Sequence, residues 1–424
     1  MAGRVIFTCR INAKTQRKST KSNANLSNRM SPQSSRILLV IVVSQFCCTS
    51  LWFAGNAVMD DLVNDFQLTD SALGHLTSAV QFGFICGTLV FALLTIADRF
   101  SPSRVFLVSA IVAAIFNLGA LLETNTLISL LSFRFLTGFF LAGIYPVGMK
   151  IAADYFERGL GKSLGYLVGA LVVGTAFPHL LKGYAADLPW RHIFIMTSSL
   201  AILGGLFMVL LVPDGPYRKV NQKPDLTAFL KVFKNRDFRS AAFGYFGHMW
   251  ELYAFWAFVP VMLGTYQSIH PQTELNIPVT SFIIIGFGGL ACVLGGFISE
   301  TLGARKTAAV ALALSGTCCL LSPVIFIAPS TVFAAFLIFW GMVVIADSPL
   351  FSSLVAQYAP PESKGTALTI VNCVGFSITI VSIQLLTILQ PLMPPAYIYL
   401  VLGVGPLLGL IGLKTTETAQ QNNK

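Results

Sequence analysis

Charge is what this chain has least of. Only 11% of its 424 residues are Asp, Glu, Lys or Arg, while 55% are hydrophobic. Water-soluble domains carry about 25% charged residues, so this chain cannot cover a globular surface with charge and must face lipid. Cysteine pairing is missing too. The eight cysteines, Cys9, Cys47, Cys48, Cys86, Cys292, Cys318, Cys319 and Cys373, include no C-x-x-C pair. That argues against a zinc site or a disulfide framework, and cysteine in an apolar helix is usually a small packing residue. Gly161-Lys162-Ser163 imitates the end of a phosphate-binding loop, but Phe156 stands where its first glycine must be. No nucleophile, metal cluster or dinucleotide loop is present. The chain is therefore expected to be no enzyme and to need no cofactor and no metal.

What is present is a series of apolar runs. A helix needs about 20 mostly apolar residues to span the hydrocarbon. Candidate spans run over 37–58, 72–97, 103–122, 126–149, 163–184, 192–212, 240–266, 278–299, 307–328, 331–356, 365–389 and 395–413. These twelve runs are continuous, whereas β-barrel strands alternate. Basic residues set the orientation. With the N-terminus inside, 25 of the 28 Lys and Arg fall on inside segments. Excess basic residues mark the cytoplasmic side, so both termini are expected there, in a bacterial inner (plasma) membrane. Topology explains the net charge of +10, and no nucleic acid need be invoked. Residues 1–36 are basic, acid-free and rich in Ser and Asn. They read as a disordered, dispensable tail, with Met30 an alternative start. No short apolar core with a small-residue cleavage site marks a secretory signal.

The chain also repeats itself. LTIADRFSPSR after the second span matches GGFISETLGARK after the eighth, and Asp98 and Glu300 lie 202 residues apart. After the fourth and tenth spans, Pro146 and Pro349 lie 203 apart, as do Tyr155 and Tyr358. One such match could be chance. Two at nearly one offset imply duplication of a six-helix half. The expected organisation is a tail over 1–36, a bundle over 37–212, a polar linker over 213–239, a bundle over 240–413 and a tail over 414–424.

These residues carry a resemblance. The pattern G-x-x-x-D/E-x-x-G-x-R/K-R/K, placed after spans 2 and 8, resembles the signature of the major facilitator superfamily. The second copy, Gly296, Glu300, Gly303, Arg305 and Lys306, fits well. The first keeps Asp98, Arg99 and Arg104 but has Leu94 and Ser101 where the family has glycine. Arg134-x-x-x-Gly138 resembles a second family motif. More narrowly the chain resembles bacterial porters grouped with cyanate and nitrate/nitrite permeases, although the arginines that mark nitrate porters in spans 2 and 8 are absent. The resemblance implies an all-α membrane protein of two pseudo-symmetric six-helix bundles, with helices 1, 4, 7 and 10 lining a central cavity exposed to each side in turn. It also implies that Asp98, Arg99, Arg104, Glu300, Arg305 and Lys306 form a cytoplasmic gate.

Charges inside a bilayer are costly and mark function. Three lie deep: Arg134, Glu251 and Asp347, in spans 4, 7 and 10. His248 and Glu251, three residues apart in GHMWELYAFWAF, share a helix face. They read as a proton carrier, Glu251, with His248 as its modulator, or alternatively as a structural pair binding helix 7 to a neighbour. Asp347 joins them as a candidate for proton coupling, although the bend at Pro349 could account for it. Arg134, the one deep cation, could hold an anionic substrate or a structural carboxylate. Gln45, Thr49, Trp52 and Asn56 form one stripe of span 1, facing either a substrate cavity or a sister helix. Gln45, Trp52, Asn56, Arg134 and Tyr145 are the candidate substrate residues. Gly165, Gly169, Gly174 and Pro178 let span 5 approach its neighbours closely.

The expected function is secondary active transport, proton-coupled, of a small polar or anionic solute by alternating access, carried out by a monomer in a lipid bilayer. The alternatives are proton-driven export of a drug-like compound or metabolite, and a transporter-like membrane sensor.

Overall fold

A computed structural model describes residues 32–156, 160–184, 189–218, 232–360 and 364–421. Most of the expected N-terminal tail and residues 219–231 of the expected linker lie outside the described residues. The described chain is helical throughout, without a strand. The helices, numbered by span, are α1 Pro32–Thr49, α2 Ala72–Leu93, α3 Pro102–Leu118, α4a Leu127–Leu141, α4b Tyr145–Tyr155, α5 Leu160–Tyr184 and α6 Arg191–Leu211. They continue with α7 Arg236–Ile269, α8 Ile277–Leu302, α9 Ala304–Ile325, α10a Ser330–Ala346, α10b Ser348–Tyr358, α11 Lys364–Leu389 and α12 Val404–Gln421.

Nine helical segments among the described residues are long and apolar enough to cross a membrane, counting α4a–α4b and α10a–α10b as one segment each. The three remaining expected spans are occupied by α1, by α7, and by a 3-10 turn Ile398–Gly403 leading into α12. Large apolar side chains such as Leu39, Phe82, Val108, Leu210, Val310 and Ile327 are exposed around the outside. In water such a surface would be a liability; here it is the face turned to acyl chains.

The duplication is visible in the packing. The two most extensive helix contacts between the halves are α2 with α11 and α5 with α8. Adding six to each member of the first pair, counted around twelve, gives the second, as a two-fold relation between halves requires. Helices 4 and 10 break at equivalent places, and Pro146 and Pro349 each sit in the first turn after the break. Proline suits that turn, where the missing N–H has no intrahelical partner to lose.

Close packing between lipid-bathed helices depends on small residues, since lipid tails are as apolar as the side chains. Gly138 of the R-x-x-x-G motif faces the Val80 carbonyl on α2, where any Cβ would collide. A Cβ on Gly169 would stand 2.9 Å from the Gly289 carbonyl oxygen, so α5 and α8 meet backbone to backbone across the halves. Gly174 likewise meets Phe46 and Thr49 of α1. The turn between α8 and α9 runs through Gly303 at φ +85°, a conformation open to glycine because it has no Cβ.

Candidate functional site

Between the halves lies a cavity of about 550 Å³, lined from α2, α4b, α10b and α11. Its charged lining residues, Asp98, Lys150, Asp154 and Lys364, sit at the helix ends on the side of the linker. Its deep end is marked by Thr88 on α2 and Asn372 on α11. Thr88 Oγ1 is buried without a hydrogen-bond partner, and Asn372 Oδ1 accepts from the Tyr245 hydroxyl at 2.8 Å.

One helical turn beyond Thr88 and Asn372 stand Phe84 and Phe376, with ring centroids 4.5 Å apart. Trp52 and Tyr253 complete an aromatic roof. Trp52 stacks on Tyr253 at 5.8 Å and on Phe376 at 5.9 Å. All four side chains are buried. Trp52 is held by its indole N–H, which donates to Gln81 Oε1 at 3.2 Å. Farther toward the opposite side the halves are tied directly: Gln384 Nε2 donates to the Gly74 carbonyl at 3.0 Å and to Ser78 Oγ at 2.8 Å. The cavity thus reaches the linker side and ends beneath a closed roof.

Arg134 is spent on structure. Its Nη2 donates to the carbonyls of Leu51 and Trp52 at 2.8 and 2.9 Å, and its Nη1 to Asn117 Oδ1 at 2.7 Å. Those carbonyls are available because α1 stops at Thr49 and the chain continues through turns. Asn117 passes the tie onward to Ser198 on α6 at 2.9 Å. One guanidinium fork, which can serve several acceptors at once, therefore fixes the irregular stretch that carries Trp52.

The other candidate substrate residues also turn away from the cavity. Asn56 donates to Thr77 Oγ1 at 2.8 Å, joining the chain after α1 to α2. Gln45 is fully buried against Gly148, and its amide is unpartnered. Tyr145 begins α4b and is half-buried. Of the five, none lines the cavity, and Trp52 alone belongs to its roof. The stripe on span 1 does not run as one helical face, because α1 ends at Thr49.

The deep acids make separate contacts. Sequence spacing pairs His248 with Glu251, but the structure does not bring them together. His248 Nδ1 lies 2.8 Å from Asp347 Oδ1, at ion-pair distance though out of line for a hydrogen bond. This contact joins α7 to the break in helix 10, with both side chains 1% exposed. Glu251 points into a separate nest. Its Oε1 accepts from Trp340 Nε1 at 2.6 Å and Cys319 Sγ at 3.3 Å, and its Oε2 from Ser315 Oγ at 2.9 Å. The ring of Tyr245 lies 6.0 Å from that of His248 and its hydroxyl bonds Asn372. The His248–Asp347 pair is thus one side chain removed from the cavity wall.

At the linker-side ends, Asp98 pairs with Lys150 at 2.9 Å, and Lys150 lies 3.8 Å from Asp154. The start of the linker folds over these loops. Arg218 pairs with Asp214 and donates to the Phe100 carbonyl, and Tyr155 donates to the Pro213 carbonyl at 2.6 Å. In the second half, Arg305 pairs with Asp237 at 3.7 Å and donates to Ser240 Oγ at 2.8 Å. Arg99 bonds within its own loop to Thr95 Oγ1 at 2.9 Å. Arg104, Glu300 and Lys306 are exposed. Of the six expected gate residues, then, Asp98 and Arg305 make ion pairs among the described residues, each within its own half. Thr88, Tyr245, Lys364, Asn372 and the phenylalanines of the roof were not among the sequence candidates. Lys364 alone had a visible signal, a charge at a span boundary.

With this geometry in view, the match to known proteins is direct. The model of the Major Facilitator Superfamily matches residues 41–383, and the chain belongs to that family of membrane transporters, which are not enzymes. It is a multi-pass integral membrane protein. It is 25% identical over 250 residues to the uncharacterized transporter YgaY of Escherichia coli O157:H7, covering 56% of this chain and 60% of that one. It is 28% identical over 159 residues to the 4-hydroxybenzoate transporter PcaK of Acinetobacter baylyi, covering 36% and 33%. The chain thus spans less than two thirds of the length of these relatives. Its fold superposes on the proton:xylose symporter XylE with a TM-score of 0.70 at 13% identity, covering 90% of this chain and 95% of that one.

Proposed function

We propose that this chain is a proton-coupled secondary transporter of a small polar organic solute. The linker side is the cytoplasmic side, since the basic residues gather there. The observation that carries the reading is the one-sided cavity. It lies between two halves related by duplication, reaches the linker side, and is closed on the other side by contacts that all cross between the halves. Rocking of the halves would break those contacts and close the mouth.

The buried acids of the second half form the coupling system. The His248–Asp347 pair exchanges the proton. It joins α7 to the bend of helix 10, so gain or loss of its charge acts on a joint, and Tyr245 connects it to Asn372 on the cavity wall. Glu251 holds α7 to α9 and α10a. Arg134 sets the position of Trp52. An anionic group on the solute would meet Lys150 and Lys364 at the mouth. The loops bearing Asp98 and Arg305 steady the mouth from each half.

The test uses proteoliposomes loaded with a pH-sensitive dye and challenged with a panel of small carboxylates, carboxamides and sugars. A transported solute should acidify the interior as it enters with protons. Alkalinisation would mean exchange against protons and an export cycle. Solute flux with no pH response would overturn the coupling, and binding without flux would favour the sensor.

A further inference from the structure

We infer that the solute carries a planar aromatic or heteroaromatic ring bearing an acceptor oxygen, and that the aromatic roof of Trp52, Phe84, Tyr253 and Phe376 recognises it. The inference rests on the transport reading above.

Three observations lead to it. First, the deep end of the cavity is uncharged. The charged lining residues are Asp98, Lys150, Asp154 and Lys364, all at the mouth. From Thr88 to the end of α2 at Leu93 is five residues, about 7.5 Å along the helix, and Asp98 lies beyond that end. No charged side chain lines the deep end itself. Second, two polar groups there lack partners. Thr88 lines the cavity, and its Oγ1 is buried and makes no hydrogen bond. Asn372 also lines the cavity; its Oδ1 is taken by Tyr245, and its NH₂ donates to no group among the described residues. Two donors of this kind fit one acceptor oxygen. A polyol, which brings many hydroxyls, would leave most of them unmatched.

Third, the roof is built of ring faces shared between the halves. Phe84 against Phe376, Trp52 against Phe376 and Trp52 against Tyr253 each pair a ring of the first half with a ring of the second. When the halves part on the roof side, all three contacts are lost together. The uncovered faces of Trp52 and Phe376, now 28° from parallel, would accept a flat ring between them. Ring stacking in offset or edge-on geometry is a specific attraction beyond area burial, and a saturated ring of the same size cannot supply it. A planar solute would therefore replace the contacts that opening removes, and its binding would favour the transition it must pass through.

The experiment compares benzamide with cyclohexanecarboxamide, which offer the same carbonyl oxygen on a flat and a puckered ring. Binding is measured by calorimetry on the full chain in nanodiscs. Benzamide should bind at least about tenfold more tightly, roughly the strength of one or two ring pairs. Phe376→Leu should bring the two affinities together, and Phe376→Tyr should restore the difference. Thr88→Val should weaken benzamide about fivefold or more without changing the melting temperature. Equal affinities in the wild type, or no binding of either probe at millimolar concentration, would overturn the inference. Solute exchange in liposomes is scored separately. Ring preference without exchange would retain the site and reject transport; exchange without ring preference would do the reverse.

Discussion

Replacing Glu251 separates packing from proton chemistry. Its carboxylate is fully buried and accepts from Trp340, Cys319 and Ser315. Glu251→Leu removes all three acceptor contacts. Ser315 keeps a second bond, to the Leu312 carbonyl at 3.1 Å, and a thiol is a weak donor. The main loss is the Trp340 indole N–H, left buried without an acceptor, at about 1–3 kcal/mol. Polar contacts between membrane helices average about 0.6 kcal/mol and reach about 1.7, so the lower half of that range is expected. Glu251→Gln behaves differently. Its carboxamide oxygen can serve Trp340 and Cys319, and its NH₂ can donate to the Ser315 oxygen, which still donates to Leu312. The expected loss is well under about 1 kcal/mol. Thermal melting followed by tryptophan fluorescence should therefore rank wild type and Glu251→Gln together, with Glu251→Leu a few degrees lower. A Gln variant that melts with the Leu variant would refute the hydrogen-bond reasoning. Uptake driven by a pH gradient should survive in Glu251→Gln. Loss of accumulation with normal exchange would instead give the carrier role to Glu251, as the sequence spacing first suggested.

Asp347→Asn should abolish gradient-driven accumulation while leaving exchange within about twofold, because His248 loses its partner at the bend; unchanged accumulation would exclude the pair as the coupling site. Arg134→Lys supplies one ammonium where three acceptors wait. It should lower the melting temperature and weaken neutral and anionic solutes alike, and a selective loss for anions would return Arg134 to the binding site. Gln384→Leu removes both of its own bonds to α2. It should raise the rate at which a thiol introduced by Ser78→Cys is labelled from the side opposite the linker, and an unchanged rate would remove Gln384 from the closure. Asp98→Asn leaves Lys150 only its longer contact with Asp154 and should slow transport several-fold at normal expression, which a flux measurement against protein amount would check.

The sequence alone determined the broad plan. Apolar run length is a local property, so the spans could be marked without knowing what they touch. The near-constant offset between Asp98 and Glu300, and between Pro146 and Pro349, exposed the duplication, and the same prolines lie where helices 4 and 10 break. Partners were another matter. Helical periodicity tells which residues share a face, but not which neighbour that face meets. His248 and Glu251 share a local spacing, yet they meet different partners, Asp347 for His248 and Ser315, Cys319 and Trp340 for Glu251, all far away in the chain. Arg134 looked available to a carboxylate because two of its three acceptors are backbone carbonyls, which leave no mark in a sequence. The aromatic roof was invisible for a related reason. In an apolar span a phenylalanine facing lipid and one facing the other half read alike, and packing of the two halves chose Phe84 and Phe376 from the chain's 34 phenylalanines.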